Sequence, residues 1–366
     1  MRGSNREIRI KEERIRRFLE ENNSDGLLIS LKYNFAWATG GRYNHVGLIT
    51  ELGPTSLLVT KSNSYVIANS IEAPRIEKEE VGLLGHYELV VFPWYEPDEK
   101  LKMVEKITGG NFITDAPFGS AKVVNLFPLR YPLVEEEVER IKALGKSASL
   151  CMEEICKSIK PGQTELEIAG MMAENLLSNG MYPSVLLVAG DERISNFRHP
   201  IPTENKVSRY AMVVICAMRD GIQVAVTRLV HFGKIDADLR KKHNAVVKVD
   251  SVLIHKTKVG KRWSEILEEG IKAYEEVGYP EEWKKHHQGG PTGYQSREFT
   301  VNPKTQGSVV KWQPIAWNPS ITGTKSEDTI LVGEETPEII TPTFDWPMID
   351  VEVDGVIYKR PDILER

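Results

Sequence analysis

Three short stretches gather the residues best suited to chemistry. HHQGGPTGYQSREF (His286–Phe299) holds two adjacent histidines, two adjacent glycines and the pair Arg297-Glu298. ISNFRHPIP carries Arg198 and His199, and NPSITGTKSEDTILV carries Glu327 and Asp328. Imidazole titrates near neutrality, so His199, His286 and His287 are candidates for proton transfer or for holding a substrate. Glu298 and Glu327 can orient an imidazole or hold a cationic group. The planar forks of Arg198 and Arg297 suit a substrate carboxylate. Each residue also has a plainer reading. His199 precedes Pro200 and sits at a loop bend. His286 and His287 end the polar run EEWKKHH and serve equally as capping or solvent residues. Gly289 and Gly290 serve a turn or close packing. Arg297-Glu298 is an ordinary cross-strand ion pair if exposed. Arg228 reads as structural, with Asp328 as its partner.

Two domains are the natural division for 366 residues. Over residues 1–130 helix and strand signals alternate. EERIRRFLEENN is amphipathic, and DGLLIS, TSLLVT, SYVIANS and YELVVFPWY read as strands. This rhythm predicts an α/β N-terminal domain. Over residues 131–366 helical runs precede strand runs, which predicts an α+β C-terminal domain. Thr164 with Glu167 has the spacing of a capping box opening a helix that ends near Gly180. SVLLVAG, YAMVVICAM, GIQVAVTRLVHFG, REFTV, QPIAWNP, EDTILVG and MIDVEVDG are the expected strands.

Composition narrows the function. A net charge of −5 without a basic stripe gives no footprint for nucleic acid. No apolar run approaches the ~18 residues of a membrane helix, and the charged opening MRGSNREIRIKEERIRRF is not a secretory signal. Cys151, Cys156 and Cys216 have no framework spacing, which points to free buried thiols and a reducing cytoplasm. The spacing of thiols and imidazoles matches no zinc pattern.

The motifs, in their order, resemble the creatinase, aminopeptidase P and prolidase family (M24), whose C-terminal domain has the pita-bread fold. NFAWATGGRYNHV resembles its Asn-x-x-Tyr-Leu-Thr-Gly segment, and ISNFRHPIP the segment supplying a substrate-facing histidine, here His199. HHQGGPTGYQSRE resembles His-x-x-Gly-His-Gly-x-Gly-x-x-x-His-Glu, and NPSITGTKSEDTILV resembles Glu-Pro-Gly followed by a Glu-Asp-Thr strand. The family holds two divalent ions with two aspartates, a histidine and two glutamates. On the matching positions this chain has Ala225, Gly290 and Asn318, with Val214 or Cys216 at the first aspartate and Arg297 at the second histidine of the motif. Glu327 alone remains as a ligand. Hard divalent ions need several, mostly anionic, oxygen ligands, and a guanidinium adds fixed positive charge. The expectation is therefore no metal and no cofactor.

The resemblance implies a metal-independent hydrolase, or related lyase, of a small C–N-bonded metabolite. His199 is its catalytic acid/base, supported by Glu298 and Glu327. Arg198, His286, His287, Tyr294 and Arg297 bind a small-molecule or short-peptide substrate. Alternatives are a catalytically inactive binding protein of this family and a genuine Xaa-Pro peptidase with an atypical metal site. The resemblance further implies a homodimer in which Arg42 or His45 of one subunit completes the partner's pocket.

Overall fold

A computed structural model describes residues 2–366. They form two compact units. One runs up to Arg140 and includes Asp220–Ile222; the other comprises Ile141–Arg219 and Gln223–Arg366. The helix Glu135–Ser158 spans the division, and so does the turn at Asp220.

The first unit is built on a six-stranded sheet of β1 (Gly26–Leu31), β2 (Leu52–Thr60), β3 (Ser64–Asn69), β4 (Glu88–Phe92), β5 (Phe112–Thr114) and β6 (Lys122–Val123). Their order is β4-β3-β2-β1-β5-β6. β1 to β3 pair antiparallel and the outer strands pair parallel, which is the mixed α/β sheet the sequence predicts. β1 and β2 are buried on both faces, as strands covered by helices must be, and read as apolar runs accordingly. Helix Asn5–Glu21 starts at Ser4, whose hydroxyl accepts from the Glu7 N–H, and sinks Ile8, Ile15 and Leu19 into the interior.

The second unit carries two four-stranded sheets. In the first, β7 (Tyr182–Gly190), β8 (Tyr210–Arg219) and β9 (Ile222–His231) join β18 (Leu364–Glu365) in the order β18-β9-β8-β7. In the second, β10 (Gly289–Pro291), β11 (Pro314–Trp317), β14 (Asp328–Leu331) and β15 (Glu338–Ile339) lie in chain order. Hairpins β12 (Ser320–Ile321) with β13 (Thr324–Lys325), and β16 (Met348–Val353) with β17 (Val356–Pro361), complete the unit. Helices Ala237–Lys256 and Trp263–Glu276 bury Val246, Leu253, Ile266 and Tyr274 in one cluster with Ile315, Trp317 and Ile330. This cluster is the floor of the second sheet. The expected capping box is present: the Thr164 hydroxyl and the Glu167 carboxylate exchange hydrogen bonds with each other's backbone N–H.

One expected strand is absent. REFTV is irregular, yet it is fastened to β10: Glu298 N–H donates to the Pro291 carbonyl at 2.8 Å and Val301 N–H to the Gly289 carbonyl at 2.9 Å. The strand's backbone groups find partners without a regular ladder, and this segment carries Arg297 past the second sheet.

Candidate functional site

β8 and β9 are joined by the two residues Asp220 and Gly221, with φ of 52° and 76°. Such a turn places Arg219 opposite Ile222, so three steps back Cys216 stands opposite Ala225. Cys216 and Ala225 share a small apolar cluster with Ala316. Val214 instead packs with Met212, Leu229 and Ala189. Of the two residues, Cys216 is the one that shares a cluster with Ala225. Burial pushes its thiol up to about 11 against the pull of the Arg297 guanidinium, so it stays protonated.

Glu327 precedes β14 and is the centre of the site. Its Oε1 accepts from Arg297 Nη2 at 2.7 Å. Its Oε2 accepts from the Thr227 hydroxyl at 2.6 Å and lies 2.8 Å from Lys325 Nζ. Glu327 and Lys325 are both buried. Burial acts to raise the carboxyl's pKa, but Lys325 first and Arg297 second outweigh it and hold the group at about 2. Arg297 thus pairs with Glu327, where the sequence suggests its neighbour Glu298. Around the carboxylate the charges sum to one positive.

The histidines meet beside this cluster. His199 Nε2 and His286 Nε2 are 3.1 Å apart, and His286 Nδ1 is 3.3 Å from the Ser320 hydroxyl. The rings of His286 and His287 have centroids 4.5 Å apart, and those of His199 and His287 5.5 Å. His286 is buried, His287 half-buried and His199 exposed. Burial, then the Lys325 charge, pushes His286 down to about 2; burial, then Arg297, pushes His287 down to about 4; burial and Lys325 lower His199 as well. All three rings are neutral at pH 7. Hairpin β12–β13 links the two halves of the site, because Ser320 and Lys325 are paired residues across it.

Other expected site residues have different settings. Arg198 donates to Glu282 at 3.1 Å and to the Thr322 hydroxyl at 2.7 Å, which anchors the His199 loop. Tyr294 is fully buried and its carbonyl accepts from Gln223. Glu298 is half-buried beside β10. The sequence reading gives His199 a carboxylate partner; its hydrogen bond runs instead to the neutral ring of His286, while both Glu327 oxygens are occupied. In the first unit, Arg42 is buried and its Nη1 donates to the carbonyls of Gly3, Thr39 and Gly40. These bonds close a glycine turn. His45 stacks edge-on against Tyr43 at 5.0 Å. Behind the site, Arg228 pairs with Asp328 as the sequence suggests. Arg360 extends the network by bridging Asp328 and Asp250, at 2.8 and 2.6 Å.

Sequence reasoning overlooked Lys325 and the Thr227 hydroxyl. A signal existed for the lysine. It stands two residues before Glu327, and in an extended segment such residues point to the same side.

A paired-metal centre does not fit these residues. The one carboxylate has both oxygens committed. At Gly290, a Cβ would meet the Phe299 carbonyl oxygen at 2.3 Å, so a ligand side chain cannot stand there without backbone movement. Ala225 has no ligating atom, and Asn318 offers a neutral amide in place of a carboxylate.

Comparison with known proteins agrees with the fold. The model of the metallopeptidase family M24 matches residues 139–334. An uncharacterized peptidase of Staphylococcus aureus (strain MW2) is 24% identical over 216 residues, 57% of this chain and 61% of the relative. The chain thus spans about three fifths of the length of that curated relative. The Xaa-Pro dipeptidase from Bacillus anthracis superposes with a TM-score of 0.78 at 19% identity, covering 98% of this chain and 100% of the other. The prolidase from Pyrococcus furiosus gives 0.73 at 17% identity, covering 90% and 99%. At these identities the likeness shows the fold: an α/β domain followed by a pita-bread domain.

Proposed function

Because the chain belongs to metallopeptidase family M24, we propose that it is a hydrolase of that type which cleaves a C–N bond in a small molecule or short peptide without the paired-metal centre. One observation carries this reading. Arg297 and Lys325 grip Glu327 at 2.7 and 2.8 Å, so cationic side chains supply the positive charge where two ions would be needed.

The chemistry then falls to the side chains. His199 is neutral and exposed, and its Nε2 faces that of His286. It accepts a proton from an attacking water or returns one to the leaving nitrogen, with His286 holding the ring. The excess positive charge of Arg297 and Lys325 over Glu327 favours a substrate carboxylate and the oxyanion that develops during attack. A substrate with an acidic end fits best, which includes N-acyl amino acids, imidopeptides and guanidino acids. The reading places the protein in the cytoplasm as a homodimer.

A thermal-shift screen of those three classes, followed by mass-spectrometric assay of the hits, tests the reading. A stabilising compound that is hydrolysed in the presence of chelator supports it. Hydrolysis that stops with chelator and returns with Mn²⁺ contradicts it. His199→Ala should abolish turnover and leave binding nearly intact. A second reading, a binding protein without activity, is favoured by the neutral partner of His199. It predicts a stabilising ligand that is recovered unchanged.

A further inference from the structure

We propose that His199, His286 and His287 form a site for a single transition-metal ion, set apart from the paired-metal position at Glu327. One nitrogen from each ring lies within 4.8 Å of the others. His199 Nε2 and His286 Nε2 are already 3.1 Å apart. Three imidazoles on one tetrahedral ion at metal–nitrogen distances of ~2.0–2.1 Å have nitrogens roughly 3.3 Å apart. This pair therefore needs almost no movement. The remaining gap is to His287, whose half-buried ring must turn toward the other two. His199 is 87 residues from His286 in sequence. That separation is why no zinc spacing is visible in the chain.

The surroundings support ligation. The Ser320 hydroxyl near His286 Nδ1 can accept a hydrogen bond from Nδ1–H, which leaves the Nε2 lone pair free for an ion. His287 Nδ1 is buried without a protein hydrogen-bond partner. Buried nitrogens of this kind are normally satisfied, and an ion or a water carried on it satisfies this one. Binding requires only that the proton between His199 and His286 leave Nε2 for Nδ1 of the same ring. The rings stay neutral, so no proton is released.

The same geometry sets the preference among ions. Three imidazoles and no carboxylate suit Zn²⁺, Ni²⁺ and Cu²⁺, and disfavour Mn²⁺, Mg²⁺ and Ca²⁺. Arg297 and Lys325 act against any cation nearby. They favour an anion, such as a substrate carboxylate, in the ion's fourth position; an ion held by the three rings occupies the His199 Nε2 lone pair, so ligation and proton transfer by His199 exclude each other.

Tag-free protein is stripped with chelator, desalted and loaded separately with Zn²⁺, Ni²⁺ and Mn²⁺. Metal retained after gel filtration is measured by mass spectrometry, and Co²⁺ is added to a parallel sample to read the visible d–d bands of a tetrahedral site. The site predicts one Zn²⁺ or Ni²⁺ per chain, little Mn²⁺ and an intense Co²⁺ spectrum. His199→Ala and His287→Gln, checked for unchanged melting temperature, should each weaken Zn²⁺ binding at least tenfold. Ser320→Ala should weaken it about tenfold, as expected for a group that orients a ligand. Failure to retain Zn²⁺ or Ni²⁺, or retention that survives His199→Ala unchanged, overturns the site and leaves the proposed function standing. Two ions per chain that vanish in Glu327→Gln overturn the proposed function instead.

Discussion

Replacing Lys325 by Met probes the site where its electrostatics are strongest. The ammonium lies 2.8 Å from Glu327, with side-chain exposures of 4% and 2%. Removing one member of a buried ion pair costs ~3–5 kcal/mol, because the other is left uncompensated. Glu327 keeps Arg297 and Thr227, and burying methionine is easier than burying ammonium. The expected loss is therefore at the lower end, about 3 kcal/mol at pH 7. The reciprocal change Glu327→Gln leaves two cations facing each other and should cost about as much. The double variant removes both charges and should be less destabilised than the sum of the singles by about 2 kcal/mol. Urea denaturation of the four proteins supplies the cycle. The acid side gives an independent reading. Glu327 is held at about 2 against an ordinary 4.5, so its contribution is complete above pH 4.5 and fades as pH falls toward 2. In Lys325→Met the carboxyl moves back toward 4.5 and that fading shrinks. Additive singles, or a Lys325→Met protein within 0.5 kcal/mol of the parent, would refute the claim that the lysine neutralises Glu327.

Two more expectations follow from the same geometry. Gly290→His, which restores the side chain of the family's ligand, should destabilise the protein by at least about 2 kcal/mol and recruit no metal, because its Cβ meets the Phe299 carbonyl; Mn²⁺ binding by a stable variant would contradict this. In chelator-treated protein, stability should fall as pH drops below 6.5. His286 and His287 are held at about 2 and about 4, so between those values and 6.5 the unfolded chain binds more protons than the folded one. For His287 the change from 6.5 to about 4 corresponds to at most about 3 kcal/mol, and His287→Gln should flatten the slope between pH 6.5 and 4; an unchanged slope counts against it.

The elements were legible in the sequence where local chemistry decides them. Thr164 and Glu167 specify their own helix start, and the apolar runs of β1 and β2 announce strands covered on both faces. The Arg228–Asp328 pair was legible too. The partners of long side chains were not. Arg297 has Glu298 beside it in sequence, yet a loop fastened to β10 turns its guanidinium to Glu327. Lys325 stands two residues before Glu327, a hint of its side, and the pairing of β12 with β13 fixes its place. Arg42 looks like an exposed cation in a glycine-rich turn until the carbonyls of Gly3, Thr39 and Gly40 are seen to converge on it. For the two arginines the tertiary path of the backbone, unreadable from alternation, chose the partner.

The most direct measurement is a crystal structure of the protein soaked in excess Mn²⁺, with anomalous maps calculated around Glu327. Arg297 and Lys325 should still be bonded to the carboxylate, with no manganese within coordination distance of it. Two manganese ions bridged by Glu327, with both cationic side chains displaced, would contradict it.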